Sequence, residues 1–455
     1  MVDNAFVTQG LYVGLEATPG TAVPTTKRLI GGSITSKIDA TAQEFRPMGS
    51  KFVTIDALQA EWTTGTLGGA ACYTELPYWL GMCIGQQAAP VQQMDGGTPT
   101  GAWKWIYESK AFDADTPQTF TIEEGSTVRA RRFSSSVLTD YSLSLLRTAV
   151  TQSGTLLAQQ HQDNVALTTY GAAASPVQAA LTTAATGGTL AAGTYRYVVT
   201  ATNAVGETTA SNEQTVTTTG AVSTVTATWA AVTGATGYRV YRTVAGGAAG
   251  AESILPSGTL GAVTTFIDTG ATVTPGTPAA VNNAYSTPAG TLPSVPLIPI
   301  LANQVDVFVD PTFAALGTTR QSRIFKVDPN FGGRYKPVWP LDSSKPSWAA
   351  IVEGPNTATC NFTAAYDPQG AAYLAQLRAG NTGYMRVRAI GPNIYTGGIS
   401  VNHSATFDMA FKIKQTDAFS DTDGVFAIGY GADIVYDGLW GKAMRCEIVT
   451  TTAAL

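Results

Sequence analysis

Charge is scarce in this sequence: of 455 residues only 13% are Asp, Glu, Lys or Arg, against roughly 25% in a typical soluble domain. The net charge of -5 provides no global field that would attract nucleic acid or an anionic membrane, which disfavours a duplex-binding role. Histidine is scarcer still. His161 and His403 are the only two, and neither stands in an H-E-x-x-H or G-x-S-x-G setting, so the commonest general base and metal ligand is all but missing. Cys72, Cys83, Cys360 and Cys446 are dispersed without C-x-x-C spacing, which excludes a zinc ribbon and points to buried, reduced thiols rather than disulfides. No apolar run is long enough to span a bilayer, and MVDNAFVTQG at the start has neither a basic nor an apolar leader region. The expectation is a soluble chain made in a cytoplasm, with no membrane partner.

The charged residues that are present build no reaction centre. Glu123 and Glu124 are adjacent, and adjacency cannot supply the facing carboxylates a glycosidase needs, so they read as turn carboxylates. Asp421 and Asp423 in SDTDG begin like a calcium loop, but the Glu expected further on is missing. GGAAG at 246–250 lacks the Lys-Ser/Thr of a phosphate loop. Arg129–Arg132 (RARR) is the one basic concentration; in a strand its members alternate faces, which favours solvated or inter-subunit ion pairs over a phosphate site. No enzymatic activity, cofactor or metal is expected.

Gly, Ala and Thr are abundant instead. A polar, uncharged surface lowers the desolvation and repulsion costs of packing copies side by side, so the composition favours assembly. The length predicts two to four compact units, and composition divides it. Between Gly171 and Pro293 there is no Lys, Cys, His or Met. Within this stretch YRYVVTATN, TVTATW, GYRVYR and TTFIDTG alternate in polarity between turn clusters, the pattern of a small antiparallel β-sandwich, with Trp229, Tyr238 and Val240 as its predicted core. Tyr195, Tyr197 and Tyr241 alternate as core residues would.

The flanks, 1–165 and 294–455, share another organisation. Each begins with a long two-stranded stretch, runs into a short helix and closes in paired strands. In the first, SITSKIDATAQEF and SKFVTIDALQAEWTTGTL flank R-P-M-G, a tight reversal, and Tyr73–Ile84 follows with helical spacing at Leu76, Trp79, Leu80 and Cys83. In the second, RYKPVW and SWAAIVEG lie either side of L-D-S-S-K-P, and TCNFTAAY leads into a helix over Gly370–Arg378. Gly69-Ala70-Ala71 before Tyr73 matches Gly370-Ala371-Ala372 before Tyr373. The closing strands pair SSVLTDYSLSLLRT and GTLLAQQ with GVFAIGYGADIVYDG and KAMRCEIV. This reads as a degenerate duplication. The expected fold class is mainly β: two β-sandwich or barrel units, each with a short helix and a long hairpin, plus an inserted sandwich.

The insert's WAAVTGATGYRVYR and ATNAVGE resemble fibronectin type III or Ig-like modules, although the Trp strand here follows the strand it usually precedes. The opening VTQGLYVGLEATPGTAVPTTKRL resembles the first strand and loop of the tail tube proteins of long-tailed bacteriophages, and YTELPYWLGMCIG and LRAGNTGYMRVRAIGP are similar too. That resemblance implies sheets joined across copies into one inner barrel, rings of three chains with pseudo-sixfold character, and stacking into a conduit for DNA ejection, with the insert outside. It implies contacts to the next ring at Arg46, Pro47, Met48, Gly49 and Lys51 and at Asp342 and Lys345, and contacts to a neighbour at Gly14, Glu16 and Pro19 within Gly10–Thr26. It also implies tape-measure, tail terminator and baseplate or tail-tip partners, transient passage of double-stranded DNA, and a place in the virion tail after assembly in the host cytoplasm. A weak glycan contact by the insert is compatible with this. The alternative is a carbohydrate-binding, adhesive surface protein that works through exposed aromatics of the insert.

Overall fold

A computed structural model describes residues 9–86, 88–126, 129–165, 167, 171–172, 174–203, 206–279, 285–286, 292–332, 334–342 and 347–455. It is mainly antiparallel β with two α-helices among the described residues. The chain divides into two compact units: Met1–Leu167 with Ser294–Leu455, and Thr168–Pro293.

The first flank runs β1 (Gly10–Leu15), β2 (Lys27–Leu29), β3 (Gly32–Phe45), β4 (Ile55–Ala70), α1 (Leu76–Cys83), β5 (Val91–Asp95), β6 (Thr98–Glu108), β7 (Phe120–Gly125), β8 (Ala130–Leu146), β9 (Val150–Ala158) and β10 (His161–Val165). β3 and β4 form the long hairpin, in register from Gly32↔Gly69 to Phe45↔Ile55 with one bulge at Thr41/Ala42. The predicted helix is present but shorter, with Pro77 in its first turn, and every residue of it is buried. The spacing at Leu76, Trp79, Leu80 and Cys83 marks one apolar face, but the helix is buried on every side, so the core encloses it.

The insert carries β11 (Gly171–Ala172), β12 (Thr182–Ala184), β13 (Gly193–Thr202), β14 (Gln214–Thr218), β15 (Thr224–Thr228), β16 (Gly237–Arg242), β17 (Ser253–Gly261), β18 (Thr265–Asp268) and β19 (Tyr285–Ser286). Two sheets, β12-β15-β18 and β14-β13-β16-β17, share one core that includes Trp229, Tyr238, Val240, Tyr195 and Tyr197. Trp229 and Tyr238 meet with ring centroids 5.3 Å apart. Arg242 lies inside this unit because Asp268 pairs with it at 2.5 Å, and Asp268 also accepts a 2.8 Å bond from the Tyr197 hydroxyl; a buried charge persists only with such a partner.

The second flank adds β20 (Val305–Asp310), β21 (Ile324–Asn330), β22 (Tyr335–Val338), β23 (Ala350–Glu353), β24 (Thr359–Ala365), α2 (Pro368–Ala379), β25 (Gly383–Thr396), β26 (Ser400–Thr422), β27 (Val425–Ile434) and β28 (Met444–Thr450). The two flanks repeat one pattern of pairing. In the first, β3 pairs β4, β4 pairs β9, β9 pairs β8, β8 also pairs β7 and β10, and β7 pairs β1. In the second, β21 pairs β24, β24 pairs β27, β27 pairs β26, β26 also pairs β25 and β28, and β25 pairs β20. α1 follows β4 as α2 follows β24.

This pattern corrects two correspondences read from sequence. Gly69-Ala70 closes a strand whereas Gly370-Ala371 lies inside α2, so those motifs are not equivalent. The counterpart of the β8–β9 hairpin is β26–β27, since β28 pairs with β26 and β6 and not with β27. The flanks also do not fold apart. β8 pairs with β21 across the two halves, and one core runs through both, from Trp79, Trp105 and Tyr141 to Phe362, Phe407 and Tyr430. Antiparallel joining of β8 to β21 buries an edge that each half would otherwise expose.

Candidate assembly surface

The strand order β3-β4-β9-β8-β21-β24-β27-β26 leaves two ends. Among the described residues no strand pairs with the edge of β3 opposite β4, or with the edge of residues 412–422 opposite β27. Both ends lose their cover. Residues 40–45 of β3 and 55–59 of β4 are exposed on both faces, as are 414–421 of β26. A two-stranded ribbon in water is marginal by itself, yet this one carries Phe45, Ile55 and Leu58 in the open, and the β26–β27 end carries Phe419 and Phe426. Phe419 stacks edge-on against both Phe426 and Tyr366, with centroids 6.1 and 5.1 Å apart.

The turn between β3 and β4 contains Arg46, Pro47, Met48, Gly49 and Lys51, all exposed, and Gly49 adopts φ +85°, which Gly accepts without strain. β22 and β23 form a separate two-stranded sheet between β21 and β24, and Asp342 lies exposed in their connection. Lys345 falls outside the described residues.

Gly14 and Glu16 are not surface residues, which corrects their expected contact with a neighbour. A Cβ at Gly14 would come within 2.5 Å of the Pro24 carbonyl oxygen. Glu16 is buried and accepts bonds from Gly20 N–H (3.0 Å), Thr121 Oγ1 (2.9 Å) and Ser135 N–H (2.9 Å), so it ties its own loop to β7 and β8. Pro19 is exposed.

The acid pair is also buried, and the basic cluster, from exposed Arg129 to half-buried Arg131 and Arg132, is bonded within the chain. Glu123 and Glu124 lie in β7 rather than in a turn, and both are buried. Arg132 binds Glu123 at 2.5 Å and Arg129 binds Asp163 at 2.5 Å, so the ion pairs are made within the chain. Arg131 and Glu124 reach β3: Arg131 Nη1 donates to the Ser36 carbonyl (2.9 Å) and Glu124 Oε2 accepts from Ser36 N–H (3.2 Å). Glu75 anchors the start of β3, accepting Ile30 and Gly31 N–H at 2.7 Å and Gly32 N–H at 3.0 Å; burial raises its pKa and these three donors partly offset that rise. No sequence pattern announced these buried carboxylates, because their partners are backbone groups and side chains brought together only by folding.

Among the described residues the two histidines and the neighbouring carboxylates are not brought together. His161 and His403 are both buried, and burial lowers the pKa of each. Asp421 Oδ1 accepts from Gly424 N–H at 2.7 Å, which makes SDTDG a hairpin turn, and no group of three potential metal ligands occurs among the described residues. All four cysteines are free and buried. Among the described residues no helix is long and apolar enough to cross a membrane. No protein-family model matches the chain, and no curated protein is significantly similar to it.

Proposed function

We propose that this chain is the subunit of a long-tailed bacteriophage tail tube, a structural protein whose copies close into rings and stack into a conduit for DNA. One observation carries the reading: the two halves repeat a strand pattern, are joined β8 to β21, and, among the described residues, leave the corresponding positions at the two ends of the series without a partner strand. A head-to-tail interface of this kind closes into a ring when its rotation divides a full turn. With two similar halves per chain, three copies place six halves around a bore. The exposed turn at Arg46–Lys51 and the connection bearing Asp342 are the surfaces that meet the next ring. The insert is an Ig-like or fibronectin type III-like module on the outside of the tube; its Tyr195, Tyr197, Trp229, Tyr238 and Tyr241 are spent on its own interior, which disfavours an adhesive role through those aromatics.

Negative-stain microscopy of the purified full chain tests the reading. Rings with a central hole, or tubes, support it. A population of solitary particles at high protein concentration contradicts it.

A further inference from the structure

We propose that the outer edge of β3 receives residues 412–422 of a second copy, antiparallel and in the register that β21 adopts on β8, and that Glu124 and Arg131 guard this edge until that strand arrives. The proposal rests on the ring reading and adds the register and the guard.

The register follows from the internal repeat. β8–β9 has a bulge between Leu138 and Asp140, and β26–β27 has two shifts, between Ile413 and Gln415 and between Thr416 and Phe419; the first is matched to that of β8–β9, and positions beyond the second are counted along β27. With these bulges aligned, following the ladders outward brings the ends of β4 and β24, Ala70 and Ala365, into correspondence. It also matches Ile34, paired with Leu67, to Val327, paired with Phe362, and all four are buried. Leu145 and Asp421 pair with Val150 and Phe426, which lie equally far along β9 and β27 from the bulge, so they correspond as well. The internal pair Val327↔Leu145 therefore becomes Ile34 opposite Asp421 of the next copy. Beside it, Asp328 and Ser144, bonded at 2.8 Å, become Thr35 and Ser420.

Exposure supports this placement. Phe331 and Leu143 on the two sides of the internal junction are 0% and 1% exposed, whereas their counterparts Ile38 and Phe419 are 49% and 60% exposed. These two positions are covered where a strand has docked and bare where it has not, whereas Ile34, in the place of Val327, is already covered by its own chain.

The guard stands only at the vacant edge. Ser36 turns its N–H and carbonyl away from β4, and Glu124 and Arg131 bind both. Its counterpart beside β8 is Pro329, which has no N–H to offer. Side chains occupying the backbone groups of an open edge block indiscriminate strand addition, and an arriving strand has to displace them.

The test uses the full chain carrying Thr35→Cys with Ser420→Cys, against Thr35→Cys with Thr416→Cys, under mild oxidation. Opposed residues of antiparallel strands approach within disulfide range, and the native thiols are buried. The expected result is intermolecular cross-linking at 35/420 and little at 35/416. Independently, Arg131→Ala and Ser36→Pro each remove one guard bond, and each is expected to speed ring nucleation by about tenfold, the effect of one charge-assisted hydrogen bond. Rings that form without preferential 35/420 cross-linking overturn the register and leave the ring reading intact. Unchanged nucleation in both guard variants overturns the guard. Failure of the unmodified chain to form rings overturns the ring reading itself, and this proposal with it.

Discussion

Arg334 tests whether the two flanks are one folded body. It is fully buried, and its guanidinium bridges the halves. Nη2 donates to Ser109 Oγ (2.7 Å), Glu353 Oε1 (2.7 Å) and the Asp115 carboxylate, and Asp115 is itself wholly buried. Burial alone would lower the guanidinium's pKa; Tyr335, Glu353 and Asp115 around it outweigh burial and raise it. Arg334→Met keeps most of the volume but strands a buried carboxylate, and breaking a buried pair in this way costs roughly 3–5 kcal/mol. At about 2–4 °C per kcal/mol for a body of this size, the melting temperature should fall by roughly 6–20 °C. Thermal and urea melts followed by tryptophan fluorescence measure this. Adding Asp115→Asn should restore part of the loss, because the stranded charge is then gone. A shift of less than about 0.5 kcal/mol in Arg334→Met, the scatter of ordinary surface substitutions, would show that Arg334 does not bind the two flanks together.

Three further outcomes are expected. Glu16→Ala removes the acceptor shared by Gly20 N–H, Thr121 Oγ1 and Ser135 N–H; with two or three donors left unpaired it should cost roughly 2–5 kcal/mol in urea unfolding. His161 and His403 have pKa values lowered in the fold, so the unfolded chain binds protons first: their contribution is full above the unfolded value near 6.5 and is lost as pH falls through that value toward the folded ones. Urea midpoints should therefore decline on acidification from pH 7 to 5.5, and less so in His161→Gln with His403→Gln. The thiols of Cys72, Cys83 and Cys360 are pushed up to about 12 by burial and that of Cys446 well above its ordinary value. A thiol reagent at pH 8 should thus label none of the four in the native chain and all of them in denaturant, and labelling of the native protein would contradict the burial.

Much of this architecture was legible from local signals. The insert stands out because its composition changes at both ends. The β3–β4 hairpin follows from strand-forming runs about R-P-M-G, and Trp229, Tyr238 and Val240 from alternation. The internal repeat was visible only in outline. Its equivalences are carried by strand pairing and bulges, which leave no fixed residue type, so short Gly-Ala-Ala matches pointed to positions that the ladders do not align. β26 runs for 23 residues, with bulges that break its alternation, and it was not recognisable as a single strand. The roles of Glu16, Glu75, Glu124 and Arg334 were hidden for a related reason: each acid or base finds partners far away in sequence, so burial gave no local sign. The free edges themselves are properties of the completed sheet, and no short stretch of sequence contains them.

In the proposed ring, copies of this chain complete one another's sheets around an open bore. Cryo-electron microscopy of the assembled material tests it most directly, by counting chains in a ring and tracing the strand beside β3. The prediction is a threefold ring with residues 412–422 of one copy hydrogen-bonded along β3 of the next. A ring of six full chains, a closed twofold dimer, or an assembly in which both edges stay uncovered would contradict it.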